Sequence, residues 1–202
     1  MTHTFAKFAA VTALAAMVLT GCGNDAAPGT VAAEEGPQPA SSTAPAINVE
    51  RPETNELAGQ PTLDGAKAFL YYYFELESYA QLTGDTTAML ESMDKAPQPA
   101  AQAKHINAVY DDGGWILGGT ENIQNVFVID PDASKIGEGV EVTVLLPSIP
   151  TAYSEFTKDG SVSDTREWSS KGTIHTAKLI FRGGEWRLTS LEETPGVELP
   201  EQ

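Results

Sequence analysis

Cysteine is almost absent from this chain: one residue, Cys22, in 202. A single thiol cannot close an internal disulfide. Histidine is nearly as scarce, and His3, His105 and His175 are scattered without ligand spacing, so no metal site is expected. There is no glycine-rich phosphate loop and no Gly-x-Ser-x-Gly elbow, and no cofactor is expected. Positive charge is short as well, with 12 Lys and Arg against 28 Asp and Glu and a net charge of −16. Such a chain is repelled by a phosphate backbone and by an anionic membrane surface, which excludes nucleic acid as a partner. Finally, no aromatic residue occurs between Phe8 and Phe69, and no apolar run reaches the roughly 20 residues that a membrane-spanning helix needs.

What is present begins with the leader. Lys7 precedes an apolar stretch over 8–19 of the length of a signal-peptide core. Leu19-Thr20-Gly21-Cys22 follows it, and resembles the lipobox of bacterial lipoprotein signal peptides. That resemblance implies acylation of the Cys22 sulfur and cleavage before it, with residues 1–21 as the signal peptide. The implied address is the outer face of the cell membrane. Two or three acyl chains would hold the protein there firmly, at roughly 0.8 kcal/mol per buried CH₂. Losing the leader and Lys7 leaves 11 basic and 28 acidic residues, a net charge near −17.

Residues 22–60 are rich in Ala, Pro, Gly, Glu, Ser and Thr, and this composition predicts a disordered tether, because it offers too little apolar surface to offset ordering entropy. Residues 61–193 carry nearly all the aromatic and β-branched residues and suit one domain with one core; 194–202 are expected to form a flexible tail. Thr62 is placed to cap a helix whose buried stripe is Ala66, Phe69, Leu70, Tyr73, Leu76 and Ala80, ending at Gly84. A short helix is expected over 86–93, broken by Pro97 and Pro99, and a third over 100–112, ending at Gly113-Gly114. Strands are predicted over 123–129, 140–146, 152–157, 172–181 and 185–191, with a tight hairpin at Gly183-Gly184. Helices first and an antiparallel sheet after give the class α+β.

Two stretches, "LDGAKAFLYYYFELESYAQLTGD" and "INAVYDDGGWILGG", resemble an uncharacterised family of actinobacterial lipoproteins, a domain of unknown function. Many of its members carry a Cys-x-x-Cys pair before the third helix; this chain has Ala96-Pro97-Gln98-Pro99 instead, and any redox role falls with that pair. The order of elements also resembles the cone-shaped α+β fold of nuclear transport factor two and scytalone dehydratase, in which a curved antiparallel sheet wraps the N-terminal helices and leaves a pocket. The resemblance implies dehydratases, isomerases or plain binding modules, so the fold alone does not decide the function.

The pocket candidates are Phe69 and Tyr73 on the first helix, Tyr110 and Trp115 at the Gly113-Gly114 turn, His175 on the fourth strand and Trp186 on the fifth. Tyr73, His175 and Trp186 are expected to converge on one cavity, with the tyrosine hydroxyl and the imidazole orienting a ligand. His175 shares a strand face with Ala177, Leu179 and Phe181, but no carboxylate is placed by the sequence to tune it as a base. His105 is expected to be an exposed helix residue. The leading expectation is a non-enzymatic, lipid-anchored extracytoplasmic module that binds a small apolar or amphipathic ligand, or a cell-envelope protein partner. The alternative is a dehydratase- or isomerase-like enzyme using His175.

Overall fold

The computed structural model describes residues 36–129 and 135–200. The expected signal peptide, residues 1–21, and Cys22 lie outside the described residues. Among the described residues three α-helices precede an array of short and long strands, the order expected of the α+β class.

Helix α1, Leu63–Thr83, starts where Thr62 accepts a hydrogen bond from the Gly65 N–H and stops at Gly84, whose φ of 78° only glycine adopts freely. Its buried stripe contains the expected Ala66, Phe69, Leu70, Tyr73, Leu76 and Ala80. Two polar residues, Glu77 and Gln81, are buried on the same helix. Helix α2, Thr87–Glu91, is shorter than expected. Helix α3 runs over Pro97–Asp111, starting three residues early, because a proline in the first helical turn loses only an N–H that has no intrahelical partner.

Eight strands follow among the described residues. β1 (Trp115–Gly118), β5 (Tyr153–Phe156) and β6 (Val162–Arg166) form a three-stranded antiparallel sheet in the order β1-β5-β6. β2 (Glu121–Ile123), β3 (Phe127–Val128), β4 (Glu141–Pro150), β7 (Thr173–Arg182) and β8 (Glu185–Glu193) form the second sheet, with β2 and β3 both pairing with β4. The predicted strand over 123–129 is thus two short pieces. β1 and β6 were not expected: β1 is four residues directly after a helix, and β6 is exposed along its whole length without an apolar alternation.

The core lies between α1, α3 and the inner face of the larger sheet. Val142, Val144 and Leu146 of β4 oppose Leu179, Ala177 and His175 of β7 in register, all turned inward. Arg182 and Glu185 pair across the Gly183-Gly184 turn, both glycines having positive φ, so the tight hairpin is present. A bulge then rephases β8. Leu179 pairs with Leu188, but Ala177 pairs with Leu191, so one extra residue lies on β8 and the inward set becomes Trp186, Leu188 and Leu191.

The reading of 22–60 as a disordered tether is corrected for its second half. Residues 56–59 form a 3₁₀ helix packed on α1, with Ala58 buried. The contact is close enough that a Cβ on Gly65 would lie 2.1 Å from the Gln60 carbonyl oxygen. Trp186 donates its indole N–H to that carbonyl at 2.7 Å, and Trp115 donates to the Ser41 carbonyl at 2.8 Å. Backbone hydrogen bonds replace the aromatic side chains that the segment lacks. Among the described residues, no helix is long and apolar enough to cross a membrane.

Candidate binding cavity

The expected convergence of Tyr73, His175 and Trp186 does not occur. Tyr73 is fully buried in the core, edge-on to Phe74, its hydroxyl 3.9 Å from the Met93 sulfur. Trp186 packs against Phe181 and, with Phe69, lines a separate cavity of about 360 Å³ beside Arg51 and Glu91. Tyr110 gives its hydroxyl proton to the Gln81 carbonyl at 2.7 Å, and Trp115 stacks on Phe156 at 5.0 Å between centroids. His175 and Trp186 do share the inner face, but His175 lies at the open end of the β7–β8 hairpin and Trp186 at its turn, too far apart along the strands to meet.

His175 alone of these residues lines a cavity of about 420 Å³ between α1, α3 and the strand ends. Helix α1 contributes Phe74, Glu77 and Gln81; α3 contributes Pro99, Gln102 and His105. Glu121 of β2 and Tyr153 of β5 stand opposite, with Asp164 and Arg166 from β6. The β8 bulge adds Leu191 and Glu193.

Glu77 is the most unusual group. It is 5% exposed, and its Oε1 accepts from the Gln102 amide at 2.6 Å and from Gln81 at 3.4 Å. Its Oε2 and the Gln81 Oε1 are buried with no hydrogen-bond partner among the described residues. Burial pushes the Glu77 carboxyl up to about 7; Gln102 opposes this and the negative charge of Glu121 reinforces it. A carboxyl that titrates near neutrality inside a cavity is a common signature of a functional site. The sequence carried a signal for it: Glu77 falls four residues after Tyr73 and three before Ala80, on the apolar stripe, where a charge has no structural use.

Across the cavity, Ser148, fully buried on β4, gives its proton to Glu121 Oε2 at 2.7 Å, and His175 Nε2 lies 3.0 Å from the same hydroxyl oxygen. Since the one hydroxyl proton goes to Glu121, His175 Nε2 is the donor to Ser148. On the outer side Glu155 accepts from Tyr153 at 2.7 Å, Ser163 at 2.8 Å and His105 at 2.8 Å. Its partial burial would raise it, but these donors together hold its carboxyl below the usual range. His105 is an exposed helix residue, as expected, and is also tied into this network. Among the described residues, no group of three or more His, Cys, Asp or Glu is arranged to hold a metal ion.

The pattern of residues 37–192 matches one family model, which is described as a family of unknown function, DUF6318. The chain belongs to DUF6318. The match takes in the segment from residue 37 to 60, which fits the packing of that segment on the domain. No curated protein matches this DUF6318 chain. Among solved structures, it is similar to the intermembrane space region of the chloroplast protein ARC6, with 11% identity over 64% of this chain and 93% of that one and a TM-score of 0.42. It is also similar to an NTF2-like protein with a cystatin-like fold from Novosphingobium aromaticivorans, with 16% identity over 65% and 81% of the two chains and a TM-score of 0.36.

Proposed function

We propose that this DUF6318 chain is a lipid-anchored extracytoplasmic module that binds a small amphipathic molecule in the cavity beside Glu77. The observation that carries the reading is the buried carboxyl of Glu77 on the wall of a 420 Å³ cavity. Burying an acid without full compensation costs stability, and a protein keeps such a group where it has a use. Phe74, Pro99 and Leu191 supply apolar wall, so the ligand has a hydrocarbon part and a polar end. The anchor rests on the likeness of residues 19–22 to a lipobox and on the acidic composition, which disfavours direct adhesion to anionic lipid.

The dehydratase or isomerase alternative would have to use Nδ1 of His175 as its base, because Nε2 donates to Ser148. The binding reading asks no proton transfer of His175. Native mass spectrometry of the full-length protein taken from its source membrane tests the reading. A retained small molecule is expected in the wild type and is lost on replacing Leu191 with Trp, which fills the cavity. A wild-type protein that retains nothing, and that no small molecule stabilises in a thermal-shift screen, refutes it. Replacing Cys22 with Ser should move the protein out of the membrane fraction; a variant that is processed normally and stays with membranes rules out the anchor.

A further inference from the structure

The binding reading above leaves the chemical class of the ligand open, and the cavity wall narrows it. We infer that the ligand is an organic amine, held through its ammonium group by Glu77 and Gln81. Glu77 Oε2 and Gln81 Oε1 are two buried oxygens, four residues apart on α1, with no hydrogen-bond partner among the described residues. Once Glu77 is ionised both are unmatched acceptors, which is costly in a buried site, and two on one turn of helix call for a ligand rich in donors. An ammonium has three donors and no acceptor, so one such group has enough donors for both oxygens. A neutral hydroxyl has a single proton and satisfies one of them.

The charges around the cavity agree, element by element. α1 brings Glu77, β2 Glu121, β8 Glu193 and β6 Asp164, four carboxyls in all. The basic side chains are Arg166 of β6, which lies 5.8 Å from the centre of the Tyr153 ring, His105 of α3, which is bound to Glu155, and His175 of β7, which is bound to Ser148. Those side chains are engaged with neighbours, so an anionic ligand meets more repulsion than attraction. Phe74, Pro99 and Leu191 accept the hydrocarbon part of an amine.

Binding is then an exchange. The proton that Glu77 holds near neutral pH leaves to solvent, and the ammonium takes its place beside the carboxylate; no bond other than that O–H is broken. At pH 6, a carboxyl titrating at about 7 is about nine-tenths protonated, so about 0.9 proton is released per amine bound. At pH 8.5 the release falls close to zero.

Isothermal titration calorimetry of the full-length protein, in two buffers of different ionisation enthalpy, measures both affinity and proton release. The probes are phenethylamine, its neutral analogue phenethyl alcohol and its anionic analogue hydrocinnamate. Phenethylamine is expected to bind at least tenfold tighter than either analogue and to release the proton at pH 6. Replacing Glu77 with Gln should weaken it at least tenfold and abolish the release. Equal or tighter binding of hydrocinnamate or phenethyl alcohol overturns the amine and leaves the cavity-binding reading standing, as does unchanged affinity in the Glu77→Gln variant. If none of the three binds, while native mass spectrometry finds a retained molecule without a basic nitrogen, the amine assignment fails alone. If that experiment also finds nothing, both readings fail.

Discussion

Glu77 makes the stability of this domain depend on pH in a direction that can be worked out. Its carboxyl is pushed from 4.5 up to about 7 in the fold, and at about 1.4 kcal/mol per tenfold change the ionised form is disfavoured by about 3 kcal/mol relative to the unfolded chain. The folded state binds the proton more tightly than the unfolded state. The contribution is therefore fully present below about pH 4.5, erodes between 4.5 and 7 and is gone above 7. Between pH 5 and pH 8 the loss is on the order of 2–3 kcal/mol, or about 5–10 °C in melting temperature for a domain of this size. The Glu77→Gln variant keeps the shape of the side chain and removes the titration. Urea unfolding of ligand-free wild type and variant at pH 5, 6, 7 and 8 isolates the group, because the other titrating groups are common to both. The variant should be close to the wild type at pH 5 and more stable at pH 8. A difference that stays constant across this range would refute the account of Glu77 as a buried, proton-holding carboxyl.

Replacing Trp186 with Phe removes the indole hydrogen bond to the Gln60 carbonyl and should cost about 1–2 kcal/mol in chemical denaturation; an unchanged midpoint means that this contact does not hold the N-terminal segment. Deleting residues 36–60 should lower the melting temperature markedly, since it uncovers α1 and leaves two indole donors unpaired; a truncated protein that melts with the wild type shows the segment to be dispensable. Gly118→Ala should destabilise by more than about 2 kcal/mol, because φ is +74° there and the added Cβ would lie 2.0 Å from the Ala152 carbonyl oxygen; circular-dichroism melts at wild-type level would contradict the tight β1–β5 approach. Tyr153→Phe removes one of the donors that keep the Glu155 carboxyl low, so Glu155 should titrate at a higher pH in carbon-13 NMR, and no movement would mean that the Tyr153 bond contributes nothing.

Helix α1 was legible because local rules agree along it: a threonine cap, a glycine stop and an apolar stripe at helical spacing describe one helix whatever surrounds it. The same holds for β7, where alternation placed His175, Ala177, Leu179 and Phe181 inward, and for the glycine hairpin that follows. The sequence alone also determined the class α+β and the position of Cys22 behind an apolar run. The tertiary structure decided the rest, because each remaining feature depends on a partner distant in the chain. Leu191 and Glu193 reach the cavity only through a bulge on β8, and a one-residue phase change in a strand exchanges its two faces without any local mark. β6 has no apolar alternation because it buries nothing, and it exists only where β5 offers an edge. Residues 36–60 looked unable to order because the apolar surface that holds them belongs to α1, and the indoles that bond their carbonyls come from β1 and β8. Glu77 stood in the sequence as an acid on an apolar stripe; its role at a cavity appears only once α3 brings Gln102, and β2 brings Glu121, to its side.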